Sequence, residues 1–317
     1  MKRLFILASA AALMLASCAK TTVVYNEAPE EIGFKAVTGV MTKAPIPTGD
    51  LPTGGNMVVY ALKSADNSAY AHAFGPIEFE YNDTYWGGVT PQYWPVSGYM
   101  KFMAYYPAGI GTANGNVSSG VTITGINIES TQTDILYTGL TSDYTCASAS
   151  ASNVALQFKH ALSLIEVTAA VADNNMTNVR VTNVAIEKPV MQGTLNFNSS
   201  GVPTWENPSP MATNYPMDND ISSTDLNTTP QTLGTGALVV PGDQTKLHVT
   251  YSVAELGTVT KECDIEGTWE MGKKYIYNIV VTLKEIKITA TVDDWDGDVN
   301  NDDNVDEDDQ ELVPVNA

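Results

Sequence analysis

Apolar and polar residues alternate with a period of two along most of the chain, the pattern of half-buried β-strands. Ile32, Phe34, Ala36, Thr38 and Val40 begin the series. Further strands are predicted over Met57–Leu62, Ile77–Tyr81, Tyr99–Tyr105, Val121–Ile128 and Ile135–Thr138. After a Ser/Ala-rich stretch, Thr145–Asn153, which reads as a linker, they resume. Val154–Phe158, Ser163–Ala170, Asn178–Ile186, Gly193–Asn196, Ala237–Val240, Leu247–Val253 and Val259–Asp264 follow. Two strands close the series. Tyr275, Tyr277, Ile279, Val281 and Leu283 form one apolar face, and Ile286, Ile288, Ala290 and Val292 form the next. The run from His160 to Ile165 has some helical character, but the β-branched residues after it favour a strand. Short strands separated by Gly, Pro and Asn turns predict an all-β fold of two sandwiches.

Two stretches break the pattern. Thr42-Lys43-Ala44-Pro45-Ile46-Pro47, with Gly49, Gly54 and Gly55 after it, is a breaker-rich exposed region. Residues 205–233 are polar and rich in Pro, Asn, Ser and Thr, which predicts a protruding loop.

Composition narrows the class. Of 317 residues, 44% are apolar and 16% charged, enough to bury a core and too apolar for a globally disordered chain. Asp and Glu number 36 against 16 Lys and Arg, a formal charge of −20, which repels phosphates and excludes nucleic acid as a partner. After residue 17 nothing approaches 18 consecutive apolar residues, which excludes a polytopic helical membrane protein.

The N-terminus predicts the compartment. Lys2 and Arg3 precede an apolar run from Leu4 to Ala16, interrupted only by Ser9, and Leu15-Ala16-Ser17-Cys18 matches a bacterial lipobox. On this reading the signal peptide is residues 1–17, cleavage falls between Ser17 and Cys18, and the Cys18 thiol carries the lipid that anchors the protein to a membrane. The competing reading is an ordinary signal peptide beside a chance cysteine. Cys146 and Cys263 remain, either as an oxidised pair in an exported protein or as two buried thiols.

Candidate chemistry is sparse. The three histidines, His72, His160 and His248, sit in no metalloprotease or triad pattern, and no nucleophile elbow or phosphate loop is present. No catalytic residue is named, and a non-enzyme is expected. From Asp293 to Glu311 there are eleven acidic side chains and no basic one. Within it Asp298, Asn300, Asp302, Asp306 and Asp309 fall at the ligand positions of a calcium loop, although Asp303 stands where such loops carry glycine. A solvated acidic tail over 296–317 is the simpler reading. Trp86 and Trp205 lie in loop-like stretches and are candidates to stack on a glycan, whereas Trp94 and Trp269 read as core.

Several phrases, taken in order, resemble the fimbrillin family of lipoprotein-derived fimbrial subunits and adhesins of Gram-negative bacteria. They are Tyr93-Trp94-Pro95, the strand from Tyr99 to Tyr105-Tyr106-Pro107, and Asp134-Ile135-Leu136-Tyr137. The stretch Val154 to Val167 with its Phe158-Lys159-His160, then Gly272-Lys273-Lys274-Tyr275 and Asp293-Asp294-Trp295, complete the set. The resemblance implies tandem transthyretin-like sandwiches over 18–150 and 151–295, with a removable first strand near 30–42. It implies a subunit lipidated at Cys18, held at the outer membrane and surface-exposed in a fimbrium, with other fimbrial subunits and a host or glycan receptor as partners. Assembly in this family follows cleavage by a trypsin-like protease and exchange of a donor strand. Lys43-Ala44 is the matching candidate processing site, although such enzymes often prefer Arg. The alternative is a monomeric outer-membrane lipoprotein that binds glycan.

Overall fold

Strands supply all the extended regular structure among the described residues, and no α-helix occurs. The computed structural model describes residues 30–38, 51–146, 154–217, 225–254, 257–282, 286–295 and 313–315. The first half holds β1 (Gly33–Thr38), β2 (Met57–Ser64), β3 (Ala71–Tyr81), β4 (Trp86–Gly88) and β5 (Tyr99–Tyr106). It continues with β6 (Thr112–Asn116), β7 (Gly120–Asn127), β8 (Leu136–Tyr137) and β9 (Tyr144–Thr145). Next come β10 (Val154–His160), β11 (Ser163–Val171), β12 (Val179–Ile186), β13 (Val190–Phe197) and β14 (Pro203–Pro210). Then follow β15 (Tyr215–Pro216), β16 (Gln231–Val239), β17 (Gly242–Asp243), β18 (Lys246–Val253) and β19 (Gly257–Asp264). The last four are β20 (Thr268–Trp269), β21 (Lys273–Val281), β22 (Ile286–Asp294) and β23 (Val313–Val315).

The strands of the first sheet run β2-β3-β4-β1-β10-β8-β5-β9, and β2 also pairs with β5, so the sheet curls round and closes on itself. Inside it lies an aromatic core that includes Phe34, Phe79, Trp86, Trp94, Phe102 and Phe158. The β2–β5 pair explains the unbroken apolar run of the sequence there. Met57, Val59 and Ala61 point into this core. Val58, Tyr60 and Leu62 point out of it, into a second core shared with the rest of the molecule. A strand buried on both faces loses its alternation. In the gap of β5 between its pairings with β8 and β9, Thr138 and Thr141 use their hydroxyls to accept the backbone N–H groups of Ala104 (2.8 Å) and Phe102 (3.0 Å).

The second core lies between the sheet β16-β11-β21-β22-β23 and the sheet β15-β12-β18-β19. Val167, Ala169, Tyr277 and Ile279 of the one meet Val181, Val184, Leu247 and Val249 of the other. The β11–β21 pairing is parallel over eight residue pairs, Leu164↔Lys274 to Val171↔Val281. A further sheet, β14-β13-β7-β6, packs on the same core.

Several expectations change here. The segment after the Ser/Ala-rich stretch, β10, does not join the sheet of its neighbour β11; it pairs parallel with β1, Phe34↔Val154 to Thr38↔Phe158. Conversely β7, from the first half, pairs with β13. The polar stretch expected as a protruding loop opens as β14, because backbone pairing with β13 needs no apolar side chains. The strand reading of residues 160–165, by contrast, stands: His160 ends β10, a two-residue bend follows, and Ser163 opens β11.

Tyr60 shows how tightly the two cores abut. Gly75, at φ +119°, lies against it, and a Cβ there would sit 2.8 Å from Tyr60 Cα. The Tyr60 hydroxyl is buried with no hydrogen-bond partner. A buried hydroxyl left unpaired costs on the order of 1–3 kcal/mol. Tyr60→Phe is therefore expected to raise stability by about 1 kcal/mol in denaturant titration, and a loss of that size would show that the hydroxyl is paired.

Candidate functional site

Residues 30–38 are laced into a slot built almost wholly by later parts of the chain. On one side β1 makes its five parallel pairs with β10. On the other it makes two antiparallel pairs with β4, Gly33↔Gly87 and Phe34↔Trp86. Before β1, the Ile32 N–H donates to the Gln92 carbonyl (2.7 Å), the Trp94 N–H donates to the Glu30 carbonyl (2.9 Å), and Glu31 bridges Tyr93. Ile32, Phe34 and Ala36 point inward and are buried, the first two fully. The Phe34 ring meets Phe79 edge-on at 4.9 Å and Phe102 at 5.0 Å. The apolar alternation of the sequence makes this possible, since each second residue fills the slot while Lys35 faces outward at intermediate exposure. The described chain returns to the same core at Leu51. The connection between, residues 39–50, contains Lys43 and Ala44, which lie outside the described residues.

At the other end of the chain, β23 pairs with the edge of β22 through Ala290↔Val313, Thr289↔Pro314 and Ile288↔Val315. Three pairs are a short hold on a nine-residue strand. Pro314 has no N–H to give, which suits it to an edge.

Three of the phrases singled out in the sequence meet at one point. His160, ending β10, lies 2.9 Å from the Asp134 carboxylate through Nδ1, and its ring stacks on Trp295 at 3.5 Å with the planes 8° apart. Trp295 in turn donates its backbone N–H to the Gly272 carbonyl (2.9 Å). His160 thus ties the closed sheet to the root of the acidic tail and fills a packing role. His248 lies 3.2 Å from Glu187.

Trp86 is 2% exposed, with its ring edge-on to Tyr106 at 6.4 Å, so it cannot offer a face to a sugar. Its loop-like sequence context misled because β4 is only three residues long. Trp205 is half-buried and points into the second core, its Nε1–H donating to the Ala161 carbonyl (2.7 Å). Trp94 and Trp269 are core residues, as read. Cys146 and Cys263 are both buried free thiols, and burial pushes both thiol pKa values up, away from reactivity. Ser17, Cys18 and the calcium candidates Asp298, Asn300, Asp302, Asp306 and Asp309 lie outside the described residues.

The fold and the slot define an all-β protein whose amino-terminal strand completes a sheet made by strands that follow it. The profile of the fimbrillin-like family matches residues 42–295, and the chain belongs to that family. Solved structures with a similar fold include a fimbrial protein from Bacteroides vulgatus, at a TM-score of 0.61 and 15% identity. The alignment covers 84% of this chain and 99% of that one. A candidate cell adhesion protein from Bacteroides uniformis aligns at a TM-score of 0.55 and 16% identity, again over 84% of this chain and 99% of that chain. No curated protein matches the chain in sequence.

Proposed function

We propose that this protein is a fimbrial structural or adhesive subunit of the cell surface, lipidated at Cys18 and assembled by protease-triggered strand exchange. The observation that carries the reading is the β1 slot: a buried strand held between β10 and β4 and joined onward through a connection containing Lys43. Cleavage after Lys43 leaves β1 bound by non-covalent contacts alone. Its departure bares an apolar groove and two rows of unpaired backbone groups, which an incoming strand satisfies by hydrogen bonding and burial together. The C-terminal segment is the natural donor. It is apolar at Leu312, Val313 and Val315, and only three pairs tie it to its own sheet. Until cleavage the acyl chains on Cys18 keep the precursor on the outer membrane.

The test is expression in a Gram-negative host with its surface protease, followed by N-terminal sequencing of fibre protein. Wild type is expected to begin at Ala44 and to run as a ladder of SDS-resistant oligomers. Lys43→Ala should abolish the ladder by blocking the cut, and deletion of residues 296–317 should abolish it with the cut intact. Fibres whose subunits still begin at a lipid-blocked Cys18 would rule out exchange through this slot.

A further inference from the structure

Four large apolar side chains are exposed among the described residues: Val89 (53%), Tyr93 (52%), Val96 (100%) and Val202 (53%). The first three fall within eight residues of one loop, between β4 and β5. A single exposed valine is ordinary, whereas apolar side chains gathered on one loop mark a contact surface. The loop is also held in shape. The Val89 N–H donates to the Glu78 carbonyl (2.9 Å), and the Trp94 ring turns inward, edge-on to Phe102 at 5.7 Å. Pro91 and Pro95 stiffen the backbone on either side of Tyr93. Trp94 thus pins the loop from within while Tyr93 and Val96 are kept out in water.

The position of the loop says what covers it. It is the strap along which the chain enters β1, since the Gln92 carbonyl accepts the Ile32 N–H and the Trp94 N–H donates to the Glu30 carbonyl. Cys18, the proposed lipid site, is twelve residues before Glu30, a reach of at most about 40 Å. An anchored chain therefore keeps this loop close to the membrane.

The chemistry of the loop suits that surface. No side chain from Thr84 to Met100 is charged, so laying the loop on lipid strips water from no ion. A tyrosine ring with its hydroxyl left wet belongs at the membrane–water interface. Glu30, Glu31 and Asp83 flank the loop in the sequence or across its backbone bonds, which favours zwitterionic over anionic headgroups. A protein partner suits it less. A stable protein interface buries about 1,200–2,000 Å², far more than three side chains supply. A tether that already holds the protein at the surface makes a small contact sufficient.

We infer that the loop from Val89 to Val96 is a membrane-resting surface of the uncut precursor, laid on zwitterionic lipid. The inference rests on the anchor proposed at Cys18, and cleavage after Lys43 ends the contact by severing the tether. The experiment uses two preparations. One is the chain acylated in a Gram-negative host; the other begins at Cys18 and is coupled through that thiol to a maleimide lipid. Cys146 and Cys263 are buried, so the coupling falls on Cys18. Both are placed on phosphatidylcholine vesicles that carry a diazirine phospholipid, and the lipid adducts formed on irradiation are mapped by mass spectrometry. Adducts should concentrate on residues 89–96. Val89→Ser, Tyr93→Ser and Val96→Ser together should reduce them about tenfold, the effect of returning about two methylene groups from lipid to water, at unchanged melting temperature. Adducts spread evenly over the surface, or undiminished in the triple variant, would overturn the assignment. So would a dimer of the lipid-free chain that the triple substitution dissociates, since the loop would then belong to a second copy. Host-made chain that stays off the vesicles would refute acylation at Cys18, and the coupled chain still decides the role of the loop.

Discussion

Replacing Phe34 by alanine is expected to lower the unfolding free energy by about 3–5 kcal/mol, the usual cost of emptying a buried phenylalanine site. The ring is fully buried, and its neighbours Phe79 and Phe102 meet it edge-on at 4.9 and 5.0 Å. Phe79 and Phe102 belong to β3 and β5, so the walls cannot follow the lost side chain inward, and the cavity stays open. In a chain of this size the melting temperature should drop by about 10 °C. Lys35→Ala, one residue on and facing out, should change stability by no more than about 0.5 kcal/mol. The two variants compared in guanidinium unfolding give the answer. Equal midpoints would mean that β1 is not part of the core. If assembly follows the strand exchange proposed above, Phe34→Ala should also release β1 faster after cleavage and speed oligomer growth.

Alkaline pH should unfold the protein steeply. Burial pushes the Tyr60 phenol up to about 12, and it raises Tyr105 and Tyr277 further in the same direction. All three rings are buried, at 0%, 3% and 0% exposure. In the unfolded chain a phenol loses its proton near pH 10. Above that pH the folded state holds more protons than the unfolded one, so stability is complete below about pH 10 and falls as pH rises toward the folded values. Each tyrosine contributes a slope of about 1.4 kcal/mol per pH unit, about 4 for the three together. Denaturant midpoints measured from neutral pH upward should be flat and then fall beyond about pH 10. Tyr277→Phe should remove about a third of the slope, although it also breaks the hydrogen bonds of Tyr277 with Trp269 and Gln244, each 3.0 Å. A midpoint still level above pH 11 would show that these phenols reach water when folded.

Where one face of a strand is buried, the sequence shows it plainly. The alternation through Tyr275–Val281 and Ile286–Ala290 reappears residue for residue in the β21–β22 register, Tyr277 opposite Ala290 and Ile279 opposite Ile288. It failed at β6 and β14, whose composition is polar and where Ala113 and Trp205 are among the few side chains turned toward the core. Edge strands that bury so little leave no hydrophobic period to read. Trp86 escaped for another reason. Nothing within a few residues of it records that β2 closes on β5 and seals it inside. The convergence of Asp134, His160 and Trp295 was visible only as three separate phrases, since residues so far apart in the chain share no local pattern.

The sequence alone determined the all-β character, the positions of most strands, and the side of each that would be buried. These are properties of a pleated backbone and its nearest neighbours, so a period of two and a few Pro and Gly residues suffice to encode them. Tertiary structure alone decided that β1 lies between β10 and β4, that β10 leaves its neighbour β11, and that Trp86 is interior. Those outcomes depend on which distant edges meet. Backbone hydrogen bonds are the same for any pair of strands, and the choice among them is made by how all the side chains pack together.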